Sequence, residues 1–359
     1  MNWNHVVKFG GSVAAMSLCL AANASNGLVA SVSLDKHALG PSDDVVVKVT
    51  MTNTSSEPQR VLKWHTPFGD IEESLFEVTR DGVKVPYEGM HVKRPAPKAS
   101  DYFVIQPGKS HTVTVELSAL YDMSATGDYS IRYHTKSNKL FDKATQGARA
   151  SDEKQATVLE SDAVSVFIEG NGSRTTAAQQ LSAAPAATLA GSLSFTKCSA
   201  SQQTTITQAM GAATTMANNG DAYLQAGTAG TRYTKWFGSY DAGRYATVKS
   251  HFSAIKDAFA NKPVTVDCGC NKTYYAYVYP TQPYKIYVCK AFWTAPLTGT
   301  DSKGGTLVHE MSHFNAVAGT DDWAYGQSAA SSLAISNPTQ AIDNADSHEY
   351  FGENTPALQ

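Results

Sequence analysis

The segment Leu307-Val308-His309-Glu310-Met311-Ser312-His313-Phe314 carries the side chains that metal-assisted hydrolysis needs. Two histidines stand four residues apart, and a glutamate follows the first. Leu307, Val308, Met311 and Phe314 recur at helical spacing, so the segment reads as a helix with one apolar face. Residues four apart on a helix project from one side about a turn from each other, and both imidazoles can reach a single zinc ion. Glu310 is then placed to take a proton from a water that the ion polarises.

A catalytic zinc normally keeps three protein ligands and one open position. A third histidine six residues after His313 would make the site a metzincin one, but that position is Gly319. The chain continues instead as Gly319-Thr320-Asp321-Asp322-Trp323-Ala324-Tyr325-Gly326. Gly319 can take the left-handed conformation that ends a helix and turns the chain back toward the metal. Either Asp321 or Asp322 would then complete the site. The alternative is a thermolysin-like glutamate ligand, Glu349 or Glu353. Asp346 and Glu349 are three apart on an expected helix, so their carboxylates share a face.

H-E-x-x-H followed by G-T-x-D-x-x-Y-G resembles the signature of the aspzincins, the deuterolysins and peptidyl-Lys metalloendopeptidases. The resemblance extends to Asn344-Ala345-Asp346-Ser347-His348-Glu349-Tyr350-Phe351-Gly352-Glu353-Asn354 and to Trp236-Phe237-Gly238, and it covers residues 190–359. It implies one Zn2+ per chain held by His309, His313 and Asp322, with Glu310 as general base. It also implies that the Tyr325 hydroxyl stabilises the oxyanion and that Asp346 and Glu349 line the pocket for the residue after the scissile bond. An ammonium group entering a partly desolvated pocket with two carboxylates is strongly favoured over an apolar side chain. The expected cleavage is therefore on the N-terminal side of Lys, with Arg as the other suitable cation.

The elements that must position these residues form a compact α+β, zincin-like catalytic domain over residues 191–359. Ser201 to Leu224 and Tyr245 to Phe259 have apolar residues at helical spacing. Tyr274 to Tyr279 and Ile286 to Cys289 read as strands. Four cysteines lie here, Cys198, Cys268, Cys270 and Cys289, while Cys19 lies near the N-terminus. An even set in an exported protein suggests two disulfides, with three possible pairings. Cys268 and Cys270 are too close for an easy mutual bridge, so each is expected to pair outward with Cys198 or Cys289. A C-x-C metal site is the rival. The family resemblance implies Cys198 with Cys268 and Cys270 with Cys289.

Upstream the pattern changes. Val45 to Met51, Ser74 to Val78, Thr112 to Leu117 and Tyr129 to Tyr133 are β-branched or aromatic runs separated by turn residues. Residues 25–170 therefore read as an all-β sandwich of immunoglobulin-like architecture, resembling a propeptide. Its His65, His91, His111 and His134 show no catalytic spacing and read as surface or hydrogen-bonded histidines. Residues 171–190 are a Gly/Ser/Thr/Ala-rich linker, with Arg174 a processing point and a mature part of about 170 to 186 residues beyond it. The loop His91 to Lys98 is basic and proline-stiffened. One of its cations, Lys93, Arg94 or Lys98, can occupy the acidic pocket and make the N-terminal half an intramolecular inhibitor.

Residues 1–24 read as a secretory signal: Lys8, the apolar stretch Gly10 to Ala22, and Ala22-Asn23-Ala24 as the small-x-small cleavage pattern. No apolar run is long enough to span a bilayer. The 359 residues suffice for two cores, and 42% hydrophobic with 17% charged residues fits a globular chain. A formal charge of -3 gives no footprint for nucleic acid or an anionic membrane. The expectation is a secreted zinc metalloendopeptidase acting on proteins or peptides. A secreted sandwich-type binding protein with a purely structural zinc is the rival.

Overall fold

A computed structural model describes residues 24–142, 156–170, 191–227 and 229–359. The signal segment up to Asn23 and the linker with Arg174 lie outside the described residues.

The architecture is α+β. In the N-terminal half, alternating burial along the strands builds two sheets around one apolar core. One sheet orders Ala24–Ser25, Leu28–Leu34, Val46–Asn53 and Ser110–Glu116, all antiparallel. The other centres on Gly127–Ser137, flanked by Phe76–Arg80 and Val164–Ile168. The strand expectations hold, with bounds shifted by up to four residues.

The C-terminal half has a second core under a smaller sheet. Leu193–Thr196, Val264–Asp267 and Lys285–Val288 run parallel, and Ala276–Val278 joins antiparallel. Helices Ala200–Gln225 and Ala242–Asn261 share that core with the sheet, each close to its expected span. Disulfides Cys198–Cys268 and Cys270–Cys289 pin the strand ends, with Cα separations of 5.0 and 4.8 Å. All four cysteines are thereby used, so the C-x-C metal reading fails.

The fifth strand of this sheet comes from the other half. His91–Lys93 pairs antiparallel with Ala276–Val278, matching Val278 with His91, Tyr277 with Val92 and Ala276 with Lys93. Sequence patterning gives this segment as a loop, because three residues before a proline-rich stretch are too short to show alternation. Pairing with a distant edge strand decides its conformation instead.

The helix Lys303–His313 carries the two histidines at the centre of the second core. Ser302 caps it, accepting from Gly305 N at 2.9 Å, and every residue of the helix is buried. Gly305 permits close approach of the C-terminal helix Ala345–Glu353. A methyl group there would collide with the Glu353 carboxylate. The helix ends at His313, and Gly319 takes its left-handed conformation (φ 59°) at the end of the following turn rather than at the helix terminus.

Candidate active site

His309 and His313, one turn apart, turn their Nε2 atoms to within 3.1 Å of each other. Asp322 completes the triangle, with Oδ1 3.3 Å from His309 Nε2 and Oδ2 3.5 Å from His313 Nε2. Donors bound to zinc at about 2.0–2.1 Å in a tetrahedral sphere lie about 3.3 Å apart. The three atoms fit that spacing. Both carboxylate oxygens of Asp322 and both of Glu310 are buried without a hydrogen-bond partner among the described residues. Buried unpaired carboxylates are costly, so this donor set suits a divalent cation with a polarised water beside it.

The far side of each imidazole is fixed. His313 Nδ1 lies 2.7 Å from the Thr320 carbonyl oxygen, and His309 Nδ1 lies 2.9 Å from Asp346 Oδ1. The Thr320 acceptor holds the His313 proton on Nδ1, and the Asp346 carboxylate faces His309 Nδ1 as an ion-pair contact outside hydrogen-bond geometry, so both Nε2 atoms are left facing the triangle. Asp346 thus has a role that sequence spacing did not suggest. Glu349 Oε2 approaches the same Nδ1 at 3.4 Å, on the side away from the metal triangle. Glu353 accepts from Ser302 N and Oγ, both at 2.8 Å. Neither serves as a thermolysin-like ligand in this geometry, and Asp321 is directed instead toward His91.

The loop bearing Asp322 and Tyr325 is clamped to the start of the C-terminal helix. Asp321 N donates to Asp343 O at 2.7 Å and Ala345 N to Asp321 O at 3.0 Å. Asn344 Oδ1 accepts from Trp323 N and Ala324 N, both at 2.9 Å, and Asp346 Oδ2 from Gly326 N at 2.6 Å. This explains why the two distant motif segments occur together. Trp236 and Phe237 pack behind that helix on Tyr350 and Phe351.

Electrostatics follow from burial and charge. Burial opposes a charged His309, but Asp322, Asp346 and Glu349 hold its pKa well above the ordinary value. Burial pushes His313 down to about 3. Asp322 would be raised by burial, yet His313 and His309 outweigh it and hold the carboxylate well below its ordinary value. The field thus favours positive charge at the triangle. Burial lifts Glu310 to about 8 in the covered site of the full-length chain.

Lys93 reaches the acidic pair. Only 1% exposed, it sets Nζ 2.5 Å from Glu349 Oε2 and 3.4 Å from both Asp346 Oδ1 and Asp301 Oδ1. The rings of Tyr275 and Tyr350 flank it, with centroids at 5.3 and 5.7 Å. Burial disfavours the ammonium, but the three carboxylates raise its pKa well above the usual value. Burial likewise works against the Asp346 carboxylate, and Lys93 and His309 more than offset it. Arg94 and Lys98 lie elsewhere. Arg94 pairs with Glu72 and Glu73 at 2.7 and 2.8 Å within its own half, and Lys98 is exposed. His91 departs from its expected role as a surface or hydrogen-bonded histidine. It is buried with its ring stacked on His313, centroids 4.6 Å apart. No signal in the sequence marked Asp301, Glu73 or His91 as belonging to this site.

The Tyr325 hydroxyl lies 3.3 Å from the Val92 carbonyl oxygen and 3.2 Å from Glu73 Oε1. Burial, aided by Asp322 and Glu72 against Arg94 and Tyr325, raises Glu73 from 4.5 to about 8. A group protonated more readily in the folded state contributes stability below pH 4.5 and loses it as pH rises through 8. Buried His65, pushed down to about 3 from 6.5, acts oppositely but only below 6.5. The melting temperature of the full-length chain should therefore fall between pH 6.5 and 8. Glu73→Gln should flatten part of that fall, Glu310 and Glu353 sustaining the rest. An unchanged slope would exclude Glu73 as a contributor.

Two imidazoles and a carboxylate around one point, with a glutamate on the same helix that has no hydrogen-bond partner among the described residues, define a metal-dependent hydrolase. Residues 222–353 match the lysine-specific metallo-endopeptidase family of aspzincins. The chain is 49% identical to an extracellular protease of Aeromonas hydrophila over 96% of each chain. It is 38% identical to a peptidyl-Lys metalloendopeptidase of Armillaria mellea over 95% of this chain and 96% of that one. A peptidyl-Lys metalloendopeptidase of Pleurotus ostreatus is 53% identical across 98% of its own length, matching 46% of this chain. The protein belongs to the aspzincin family of metalloendopeptidases.

Proposed function

We propose that the chain is a secreted zinc endopeptidase that cleaves before Lys, made as a precursor inhibited by its own N-terminal half. The carrying observation is the Val92–Lys93 peptide. Its lysine ammonium sits between Asp346 and Glu349, and its preceding carbonyl lies 3.3 Å from the Tyr325 hydroxyl. A substrate cut before Lys would need the same two contacts from the same two residues of its own.

In this reading His309, His313 and Asp322 hold one zinc ion per chain. When bound, zinc supplies Lewis-acid polarisation of water and of the substrate carbonyl. Glu310 takes the proton of the attacking water and returns it to the leaving amine. The Tyr325 hydroxyl donates to the carbonyl oxygen as charge develops there. Asp346 and Glu349 bind the ammonium, and Asp346 also orients His309. Residues 1–24 act as signal peptide, residues 25–170 as an immunoglobulin-like inhibitory sandwich, and 171–190 as the linker cut near Ser173-Arg174. The match of 46% of this chain to nearly all of the Pleurotus ostreatus relative supports a catalytic unit of residues 191–359. The name of the Aeromonas hydrophila relative, an extracellular protease, supports secretion.

The division of labour within the acidic pair is testable. Processed Glu349→Gln should keep its zinc and lose about 10²-fold in kcat/KM on Lys bonds, as removal of one buried charge partner implies. Asp346→Asn should also weaken zinc binding by roughly 10- to 100-fold, through His309. Digestion of a denatured protein with wild type should give fragments beginning with Lys. Fragments whose first residues ignore charge would sink the specificity reading.

A further inference from the structure

We propose that His91 is a fourth metal ligand in the precursor, so that the N-terminal half closes the coordination sphere as well as the specificity pocket. The inference rests on reading His309, His313 and Asp322 as the metal ligands.

Alternation along the inserted strand sends His91 and Lys93 to the same side, about 7 Å apart at two residues' rise. Lys93 is in the acidic pocket. His91 accordingly arrives over the metal triangle. Its Nδ1 stands 4.0 Å from Asp322 Oδ2 and 3.6 Å from Asp321 Oδ1. One ring nitrogen of His91, one of His313 and an Asp322 oxygen lie within 4.8 Å of one another. His91 Nδ1 lies half an ångström farther from Asp322 Oδ2 than the longest of the 3.1–3.5 Å spacings of the triangle, so a small shift of the ring toward that oxygen would bring it to ligand spacing there.

Its surroundings support the assignment. Tyr87 packs on the ring edge-on at 5.5 Å, and the His313 ring lies 4.6 Å away at an interplanar angle of 29°. Pairing of Val278 with His91 fixes the backbone beneath it. A ring held this firmly against two of the three ligands has little freedom to leave that position. The corner it fills is the one an attacking water needs, because a four-coordinate zinc with four protein ligands has the closed character of a structural site. Removing the strand would reopen that corner and the pocket in one step.

The test is X-ray absorption at the zinc edge on the full-length chain and on the processed enzyme, both as Glu310→Gln to prevent self-cleavage. Three imidazoles per zinc are expected in the precursor and two after removal of the N-terminal half. In the same background, full-length His91→Ala should show two imidazoles. Its zinc should be released to a competing chelator with at least the roughly 10- to 100-fold weaker affinity that loss of even an outer-shell partner brings. Full-length Lys93→Ala should keep three. Two imidazoles in both wild-type precursor and processed enzyme would overturn the proposal while leaving the three-ligand site intact. If the processed enzyme fails to retain zinc on His309 and His313, the underlying reading fails instead. Should His91→Ala not fold, the comparison of precursor with processed enzyme still decides.

Discussion

Replacing Lys93 by alanine in the unprocessed chain will raise its proteolytic activity by at least tenfold and by as much as about 10²–10³-fold. A buried ammonium is tolerated here because three carboxylates surround it. Deleting it leaves Asp346 and Glu349 buried with the His309 imidazole as their remaining positive neighbour. Breaking such a pair typically costs about 3–5 kcal/mol, or about two to three and a half decades in the equilibrium between closed and open forms of the chain. The tether restores part of the inhibition, since a linked inhibitor is present at an effective concentration of about millimolar. His91 over the metal triangle holds back a further part, so the double variant with His91→Ala should be the most active. Lys93→Arg should stay largely silent. The measurement is hydrolysis of a Lys-containing peptide by chains whose linker is shown by mass spectrometry to be uncut. Equal silence of Lys93→Ala and wild type would remove Lys93 as the plug.

Glu310→Ala in the processed enzyme should abolish turnover while leaving metal content at wild-type level. Losing a positioned general base typically costs about 10²–10⁴-fold. The metal should stay because His309, His313 and Asp322 form the triangle without Glu310. In the full-length chain the same substitution should also raise the melting temperature, because Glu310 is there a fully buried carboxyl with no hydrogen-bond partner among the described residues. Metal analysis, turnover and melting measured together separate the possibilities. Loss of metal along with activity would make Glu310 a ligand, and retained activity would make it a bystander. A purely structural zinc in a binding protein would leave function indifferent to this change.

The site was legible in the sequence where its chemistry is local. His309, Glu310 and His313 share one helix, and Asp322 and Tyr325 follow within a short loop whose spacing the family resemblance interprets. Asp346 and Glu349 were readable as an acidic face, yet the contact of Asp346 with His309 depends on how two helices cross, which no spacing encodes. The long helices and the sandwich strands show their periodicity plainly. The inserted strand does not. Three residues carry too little pattern, and its partner Ala276–Val278 lies far along the chain. Lys93 was one of three cations with equal claims by composition, and only pairing register selects it. His91 looked ordinary for the same reason. Its meaning comes from standing two positions before Lys93 on a strand.

If residues 91–93 depart on the proposed processing, Ala276–Val278 would present a row of unpaired amide and carbonyl groups at the sheet margin. Whatever replaces the departed strand must lie fully stretched and run antiparallel to it, with backbone groups free to bond sideways. A lysine inside an intact target helix offers none of these, since its amides are already satisfied along the helix axis. Unfolded regions and loose loops of a target protein would therefore be cut first, and under the proposed specificity its folding stability would set the pace of digestion as much as its lysine content.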